Sequence, residues 1–585
     1  MATTRAPLRA AAALLAAAAL LAPGAARGDG AACSEKAAED AGIGYSILPI
    51  RGWEPTPRKN PDDPTSNCEV GGWYSKERDD RNPREPRASC TVLAFGSYFA
   101  EETRAVATLK DPAPGPDPGT GGEGGGLGGG GAPPSDPPKD PPKDGEGKDP
   151  KAPKAPQTLQ DLFEKPPQSF TEWFDRMKER SRGRFFWSLV PTKAKFGSDE
   201  GATYEGVMRM GAFANVLTAA SVRRGGFEVA VLYMAPQDKN YVRDFKGAFK
   251  ASVRSLLILP ESRMLKARES LEKKVAAAGG EDAAWAEKVI AGLPKGWSHR
   301  RTEHYLVVYD TSIDAEPPKG VPGLIKRIGI QLEALRRDIY EPLFPSDRPV
   351  TAISVVKVTQ DPVQYASYGA PAGTAGYWLW VARELVFFCK SDEWELTLDV
   401  LNHEAFHQYI FYAVGQVSPH SWFNEGHGDF FAGYDLVEGK FRPGKFKRRT
   451  DVIRRAIENG TYVPLKDFLK FTQAEYYRRG QNARKGEDVF QNYAQGWSLI
   501  YFLRTTKNPK YQGCLDRYFN TLKAAITKWK DEEEEAAKRE GRKPLPTFLF
   551  PPELNQKSME DALAAAFAGI DIDVMERDWI ASKPY

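Results

Sequence analysis

Six histidines occur in the chain, and four of them, His403, His407, His420 and His427, fall in one short window. The first two belong to "LNHEAFHQYIFY", Leu401 to Tyr412, as His403-Glu404-Ala405-Phe406-His407. Residues four apart share a helix face, one turn above the other, so both imidazoles can reach a single ion. A catalytic Zn²⁺ takes three protein ligands and leaves a fourth position for water, whose pKa it lowers to about 7. A carboxylate beside the first His can take that water's proton, and Glu404 stands there. The spacing therefore supports one zinc ion on His403 and His407 with Glu404 as general base, on condition that a third ligand exists.

"HSWFNEGHGDFF", His420 to Phe431, offers that ligand. Glu425 follows His407 with 17 residues between, on a second expected helix. Asp429 lies one turn further on the same face, where it can hold the outer nitrogen of a ligating His and fix its tautomer. Gly426 and Gly428 are poor helix formers; they make sense if this helix must lie close against the first. A metzincin site needs a His six residues past His407, and that position is Ala413. A fourth protein ligand, His420 or His427, would close the site and make it structural. His427 sits two residues from Glu425 and should point elsewhere on the helix, either into a pocket or beside Asp429. His420 is expected in the loop joining the helices. His299 and His304 flank the start of a strand, with no metal role expected, and Trp422 and Phe423 read as packing residues.

"HEAFH" followed by "WFNEGHGDFF" resembles the gluzincin metallopeptidases, the H-E-x-x-H…E group, and is similar to their peptidase-MA-like members. The second segment is close to the aminopeptidase pattern W-L-N-E-G-F-A-x-Y. The resemblance implies His403, His407 and Glu425 as zinc ligands, Glu404 as general base and Asp429 as the carboxylate orienting the first His. "NYAQGWSLIYFL", Asn492 to Leu503, resembles the family's Y-x-K-G segment, which implies Tyr493 as donor to the developing oxyanion; such donors contribute about 10²–10³ in rate elsewhere. A core position for Tyr493 is the other reading, since Trp497, Ile500 and Tyr501 share helical spacing with it. The sequence departs from the aminopeptidases at His427, Gly428 and Gln495, in a ligand interval one residue shorter, and in lacking G-x-M-x-N upstream. "GTAGYWLWV", Gly373 to Val381, is the nearest candidate for a substrate-side edge strand. It carries no Glu to bind a free amino terminus, so aminopeptidase specificity is not expected.

The elements that must position these residues form the second part of the chain. At 585 residues it is too long for one core. The expected class is α+β throughout. "EHYLVVYDTS", Val350–Val358 and Glu384–Lys390 read as strands and Leu324–Phe344 as an amphipathic helix. From Leu398 the pattern is mainly helical, with the charged run Lys528–Lys543 as a solvated helix or loop. Residues 296–585 thus read as a gluzincin-like domain, a small mixed sheet followed by helices. Residues 261–295 are charged, Ala-rich and helical, a connector.

Upstream, "GYSILPIRGW" and "SCTVLAFGSYF" read as strands, "FEVAVLYMAP" as a long buried strand, and Tyr241–Leu259 as a helix running into a final strand. The opening "YSILPIRGW" and closing "FKASVRSLLIL" resemble a PsbP-like α+β domain over residues 41–260, a resemblance that implies a binding or structural module. Residues 112–157, rich in Pro, Gly, Lys and Asp, cannot bury a core and read as a disordered insertion within it. Arg5 and Arg9, the apolar Ala10–Ala22 and the small residues after Pro23 read as an export signal over residues 1–28. No later segment reaches the roughly 18 apolar residues of a membrane helix. The expected location is therefore periplasm, cell envelope or outside the cell. Cys33 lacks the Leu that would precede it in a lipid-anchor box, and Cys68–Cys90 is the expected disulfide, with Cys389 a buried thiol. A net charge of +3 gives no footprint for nucleic acid. The function read from all this is an exported zinc metallopeptidase acting on a peptide or protein substrate. The alternatives are an inactive or regulatory envelope binding protein that uses the N-terminal module, and a structural protein whose zinc has four protein ligands.

Overall fold

The computed structural model describes residues 31–56, 68–79, 82–96, 167–181, 185–210, 213–238, 240–371, 374–380, 382–389, 392–437, 440–443, 446–477, 488–542, 544–545 and 550–583. The expected export signal (1–28) and the Pro/Gly-rich stretch (112–157) lie outside them. The protein is α+β.

The first part is built on a wholly antiparallel seven-stranded sheet. Its spatial order is Glu54–Thr56, Glu69–Tyr74, Ser89–Phe95, Phe227–Pro236, Phe213–Arg224, Asp199–Met210 and Phe186–Phe196. Ser89–Phe95 pairs with Phe227–Pro236, Val92 opposite Val231, so strands from both sides of residues 97–166 share one sheet. Helix Gly247–Arg254 covers one face with Phe249 and Val253, and helix Phe170–Arg180 the other with Phe170, Trp173 and Phe174. The expected strand at 44–53 shortens to Tyr45–Ile47, which pairs with Ala38–Asp40 and Leu257–Ile258. Beyond it the Leu48 N–H goes to the Ser255 hydroxyl at 2.8 Å, and Pro49 cannot donate to a ladder.

The expected Cys68–Cys90 disulfide is absent. None of the five cysteines is in a disulfide. Cys68 packs with Leu93 and Trp173 on one face of the sheet, whereas Cys90 packs with Val92 and Tyr233 on the other, so the sheet itself separates the two sulfurs. Cys33 is folded into the first part, its thiol against the Ala248 carbonyl at 3.4 Å, and Cys389 is buried as expected.

The connector forms two helices, Glu261–Ala277 and Glu281–Ala291. The second is part of the next core: Trp285 and Val289 pack with Trp297, Leu306, Val308 and Val355. That core surrounds a five-stranded sheet made of β1 (Trp297–Arg301), β2 (Tyr305–Asp310), β3 (Ser354–Thr359), β4 (Gly376–Leu379) and β5 (Glu384–Phe388), in spatial order β1-β2-β3-β5-β4. The central pairs β2–β3 and β3–β5 are parallel, and β4 closes one edge antiparallel to β5. All six residues of β3 are buried, as a central strand covered on both faces requires, and its one charge, Lys357, is paired with buried Glu384 and the Tyr368 hydroxyl. Helix α1 (Leu324–Leu335) covers one face, continued by a wide-turn segment to Tyr340.

Helix α2 (Trp394–Val414) lies across the sheet edge and carries the H-E-x-x-H motif. It is buried nearly all round, its polar residues Asn402, Glu404, His407 and Gln408 included. Gly415, at φ 113°, ends it: the Gly415 and Gln416 amides return to the carbonyls of Tyr412 and Phe411. The chain then reverses into α3 (Ser421–Ala432). Helices α4 (Lys447–Glu458), α5 (Val489–Thr505), α6 (Cys514–Glu540), α7 (Pro552–Ala566) and α8 (Ile572–Ala581) follow. The acidic run at 528–540 is the end of α6.

Candidate metal centre

The two motif helices pack side by side, and three donor atoms converge between them. Glu425 Oε2 stands 3.2 Å from His403 Nε2 and 3.4 Å from His407 Nε2. Ligand atoms about 2.0–2.1 Å from a tetrahedral ion lie about 3.3–3.4 Å apart, so these spacings fit the edges of a zinc-sized tetrahedron. Among the described residues, His403, His407 and Glu425 form one of two clusters close enough to hold a metal; the other, Glu303, His304 and Glu333, is more exposed.

Each of the three donors has a second contact that sets its direction. His403 Nδ1 is 3.1 Å from Asp429 Oδ1, and His407 Nδ1 is 3.0 Å from Asn424 Oδ1. In the neutral form of each imidazole the outer nitrogen then carries the proton, and Nε2 presents its lone pair to the centre. The Tyr477 hydroxyl donates to Glu425 Oε1, the oxygen turned away from the imidazoles. Asp429 is itself gripped by Arg449, at 2.6 Å from Nε and 3.2 Å from a terminal nitrogen. The same guanidinium lies over the Tyr493 ring, 4.8 Å from its centroid. Asp429 thus occupies its expected place. Asn424, Tyr477 and Arg449 were not singled out in the sequence; only Asn424, adjacent to Glu425, had a local signal.

Glycines allow this closeness, but not all in the expected way. A Cβ on Gly428 would meet three ring atoms of His403 at 2.8–2.9 Å, so Gly428 does admit the first helix. Gly426 instead faces α5: its Cβ would stand 2.7 Å from the Gly496 carbonyl. That contact draws α5 in and sets Tyr493, one turn before Gly496, beside the site, with its ring 6.3 Å from that of His403. Gln495, which stands where the Y-x-K-G pattern has Lys, clamps the Val463 backbone through both ends of its amide, at 3.0 and 2.6 Å.

Glu404 is buried beside the ligands, where the backbone of Trp378 on edge strand β4 favours its charged form. Gly376 makes room: a Cβ there would lie 2.6 Å from Val400 Cγ1 and 3.1 Å from Glu404 Cγ. Burial pushes the Glu404 carboxyl above its ordinary range, against the pull of both histidines. Burial opposes charge on His403, yet Asp429 and Glu425 outweigh it and lift its pKa to about 10. Burial would raise Glu425, but the two histidines hold it well below the usual carboxylate range.

The remaining histidines stay out. His427 is fully buried; its Nδ1–H donates to the Phe423 carbonyl at 2.8 Å and its Nε2 accepts from Arg504 at 3.1 Å. It faces the aromatic core, which corrects its expected place in a pocket or beside Asp429. His420 caps the start of α3 and bonds the Tyr518 hydroxyl at 2.7 Å. His304 pairs with Glu333 at 2.8 Å. Trp422 and Phe423 are core residues.

The site opens into a cleft of about 1720 Å³. Its walls include Trp378 and Trp380 from the edge-strand side, Phe446 and Arg449, Tyr477 and Tyr493, and Met559 and Leu563 of α7. Small-molecule pockets run to about 300–1,000 Å³, so this cleft has room for a polymer.

No family model matches the chain, and no curated protein matches it. Similar solved structures include the cyanobacterial PsbP protein CyanoP of Synechocystis sp. PCC 6803, at 13% identity over 41% of this chain and 99% of that one, TM-score 0.22. LpqN, involved in cell envelope biogenesis of Mycobacterium tuberculosis, is 10% identical over 39% of this chain and 92% of its own, TM-score 0.19. A protein of Bacteroides thetaiotaomicron VPI-5482 is 9% identical over 52% and 79%, TM-score 0.17. At such TM-scores these likenesses carry no argument about function. Among the described residues no helix is long and apolar enough to cross a membrane.

Proposed function

We propose that the chain is an exported zinc-dependent peptidase of gluzincin type, with His403, His407 and Glu425 as ligands of one Zn²⁺ ion. The observation that carries this reading is the convergence of three donor atoms at tetrahedral spacing, 3.2 and 3.4 Å, beside a buried carboxylate in a large cleft. A zinc ion held there supplies Lewis acidity, lowering the pKa of a water it binds to about 7 and polarising the substrate carbonyl. Glu404 takes the proton of the attacking water and delivers it to the leaving amine. Its raised affinity for a proton suits both steps. Tyr493 donates to the carbonyl oxygen as charge develops there. Asp429 and Asn424 hold the imidazoles in the tautomer that presents Nε2. The cleft volume favours a peptide or protein substrate over a small metabolite.

The test pairs metal analysis with a peptide library. Wild-type protein should contain zinc and cleave peptides, and a chelator should stop it. Glu404→Gln should keep the zinc and lose hydrolysis. Zinc-free wild type, or hydrolysis that survives the substitution, would sink the mechanism. Zinc-loaded protein that cleaves nothing would favour a binding role for the N-terminal module.

A further inference from the structure

We propose that Tyr477 is a positioning residue that holds Glu425 as a one-oxygen ligand and so keeps the fourth coordination position open; this rests on the zinc reading above. A carboxylate can offer a metal one oxygen or two. Here the two oxygens of Glu425 have separate partners: Oε2 faces both imidazoles, and Oε1 accepts the Tyr477 hydroxyl proton. A phenol donating to a charged oxygen makes one of the stronger hydrogen bonds, and while it lasts Oε1 cannot rotate inward.

Tyr477 is well placed for this because its backbone is fixed independently of the metal. It follows the short helix Gln473–Tyr476, which opens with a reciprocal capping box between Thr472 and Glu475. Tyr476 is then locked to α5 from both sides. Its hydroxyl donates to the Asn492 carbonyl at 3.2 Å, and the Asn492 amide donates to the Tyr476 carbonyl at 2.8 Å. The Tyr477 ring stands against Tyr476 and Tyr493, 5.5 and 6.2 Å between centroids, and lines the cleft. Asp429 and Asn424 orient the histidines from within the motif helices. Tyr477 does the same for the carboxylate from a separate segment.

The test uses the cobalt(II)-substituted full chain, whose visible absorption is intense for four-coordinate ions and weak for five-coordinate ones. Wild type should show the intense bands. Tyr477→Phe, and independently Tyr477→Leu, should show weakened bands and a zinc affinity lower by about 10-fold, the lower end for loss of such outer partners. With a cleaved peptide, kcat should fall while KM holds. Tyr493→Phe should lower kcat and leave the cobalt spectrum unchanged. A Tyr477→Phe or Tyr477→Leu protein with the wild-type spectrum and affinity overturns this proposal while the peptidase reading stands. Wild type that takes up neither zinc nor cobalt overturns both.

Discussion

Replacing Gly428 by Ala tests the packing of the site with a single methyl group. Two effects oppose each other. Alanine is the better helix former by about 1 kcal/mol, and that gain does not depend on zinc. Against it, the new Cβ would stand 2.8–2.9 Å from Cε1, Nδ1 and Nε2 of His403. Non-bonded carbon contacts want about 3.5 Å or more, so the imidazole must retreat by roughly 0.6 Å. Zinc–ligand distances tolerate about 0.2 Å. His403 cannot retreat freely, because Asp429 holds its outer nitrogen and Arg449 holds Asp429. The expected outcome is zinc affinity reduced about 10–100-fold, or about 1.4–2.8 kcal/mol. Overpacking of about 1–3 kcal/mol should roughly cancel the helix gain in the zinc-free protein. Competition with a chromophoric chelator measures the first quantity and denaturant unfolding in chelator the second. Gly247→Ala is the control: that helical glycine has nothing within 4 Å of an added Cβ, so the substitution should stabilise by about 0.5–1 kcal/mol and leave zinc affinity alone. A Gly428→Ala protein that binds zinc within about twofold of wild type would refute the claim that this glycine makes room for the ligand.

Three further outcomes follow from the same geometry. Gly376→Ala presses on Val400 and Glu404 rather than on a ligand; it should cut kcat about 10-fold or more with zinc content unchanged, as read by steady-state kinetics and metal analysis. His427→Phe removes the acceptor of buried Arg504, so urea unfolding should show a loss of about 2–3 kcal/mol with full zinc content; lost zinc would instead make His427 a ligand. The third concerns pH. His403 is raised to about 10 in the metal-free centre, above the ordinary value near 6.5. Its contribution to zinc-free stability is thus complete below about pH 6.5 and lost as pH climbs towards 10. The melting temperature in chelator should carry that decline, and apparent zinc affinity should rise with pH across the same window as the displaced proton becomes easier to remove. A zinc affinity independent of pH from 7 to about 9 would contradict the protonated metal-free site.

What the sequence disclosed divides by the range over which each feature is decided. His403, Glu404 and His407 sit within one helical turn, and Glu425 and Asp429 within another; helix geometry alone then assigns their faces. The buried strands at 227–236, 305–310 and 384–388 were legible for the same reason, since their apolar runs are local. The exposed strand Phe186–Phe196 was not, because only scattered positions of "FWSLVPTKAKF" meet a core and no clean alternation results. The disulfide expectation failed on register. Cys90 pairs opposite Trp73, five residues along the chain from Cys68, and the two cysteines end on opposite faces; nothing in their spacing records that register.

Tyr477 and Arg449 fall in the same class as that strand register. Each reaches the centre only after several helices have packed, and neither belongs to a motif with a fixed offset from its partner. Their placement depends on Gly426 meeting Gly496, which lets α3 and α5 touch, and on the Tyr476–Asn492 clamp, which hangs Tyr477 from α5. A motif scan therefore recovers the atoms that can bind a metal and misses those that fix their number and direction. That division has a physical consequence. Substitutions within the two motifs should abolish binding outright, whereas changes at the long-range partners should leave an ion bound in altered geometry. The second kind of variant separates a site that merely holds zinc from one shaped to keep a coordination position free for chemistry.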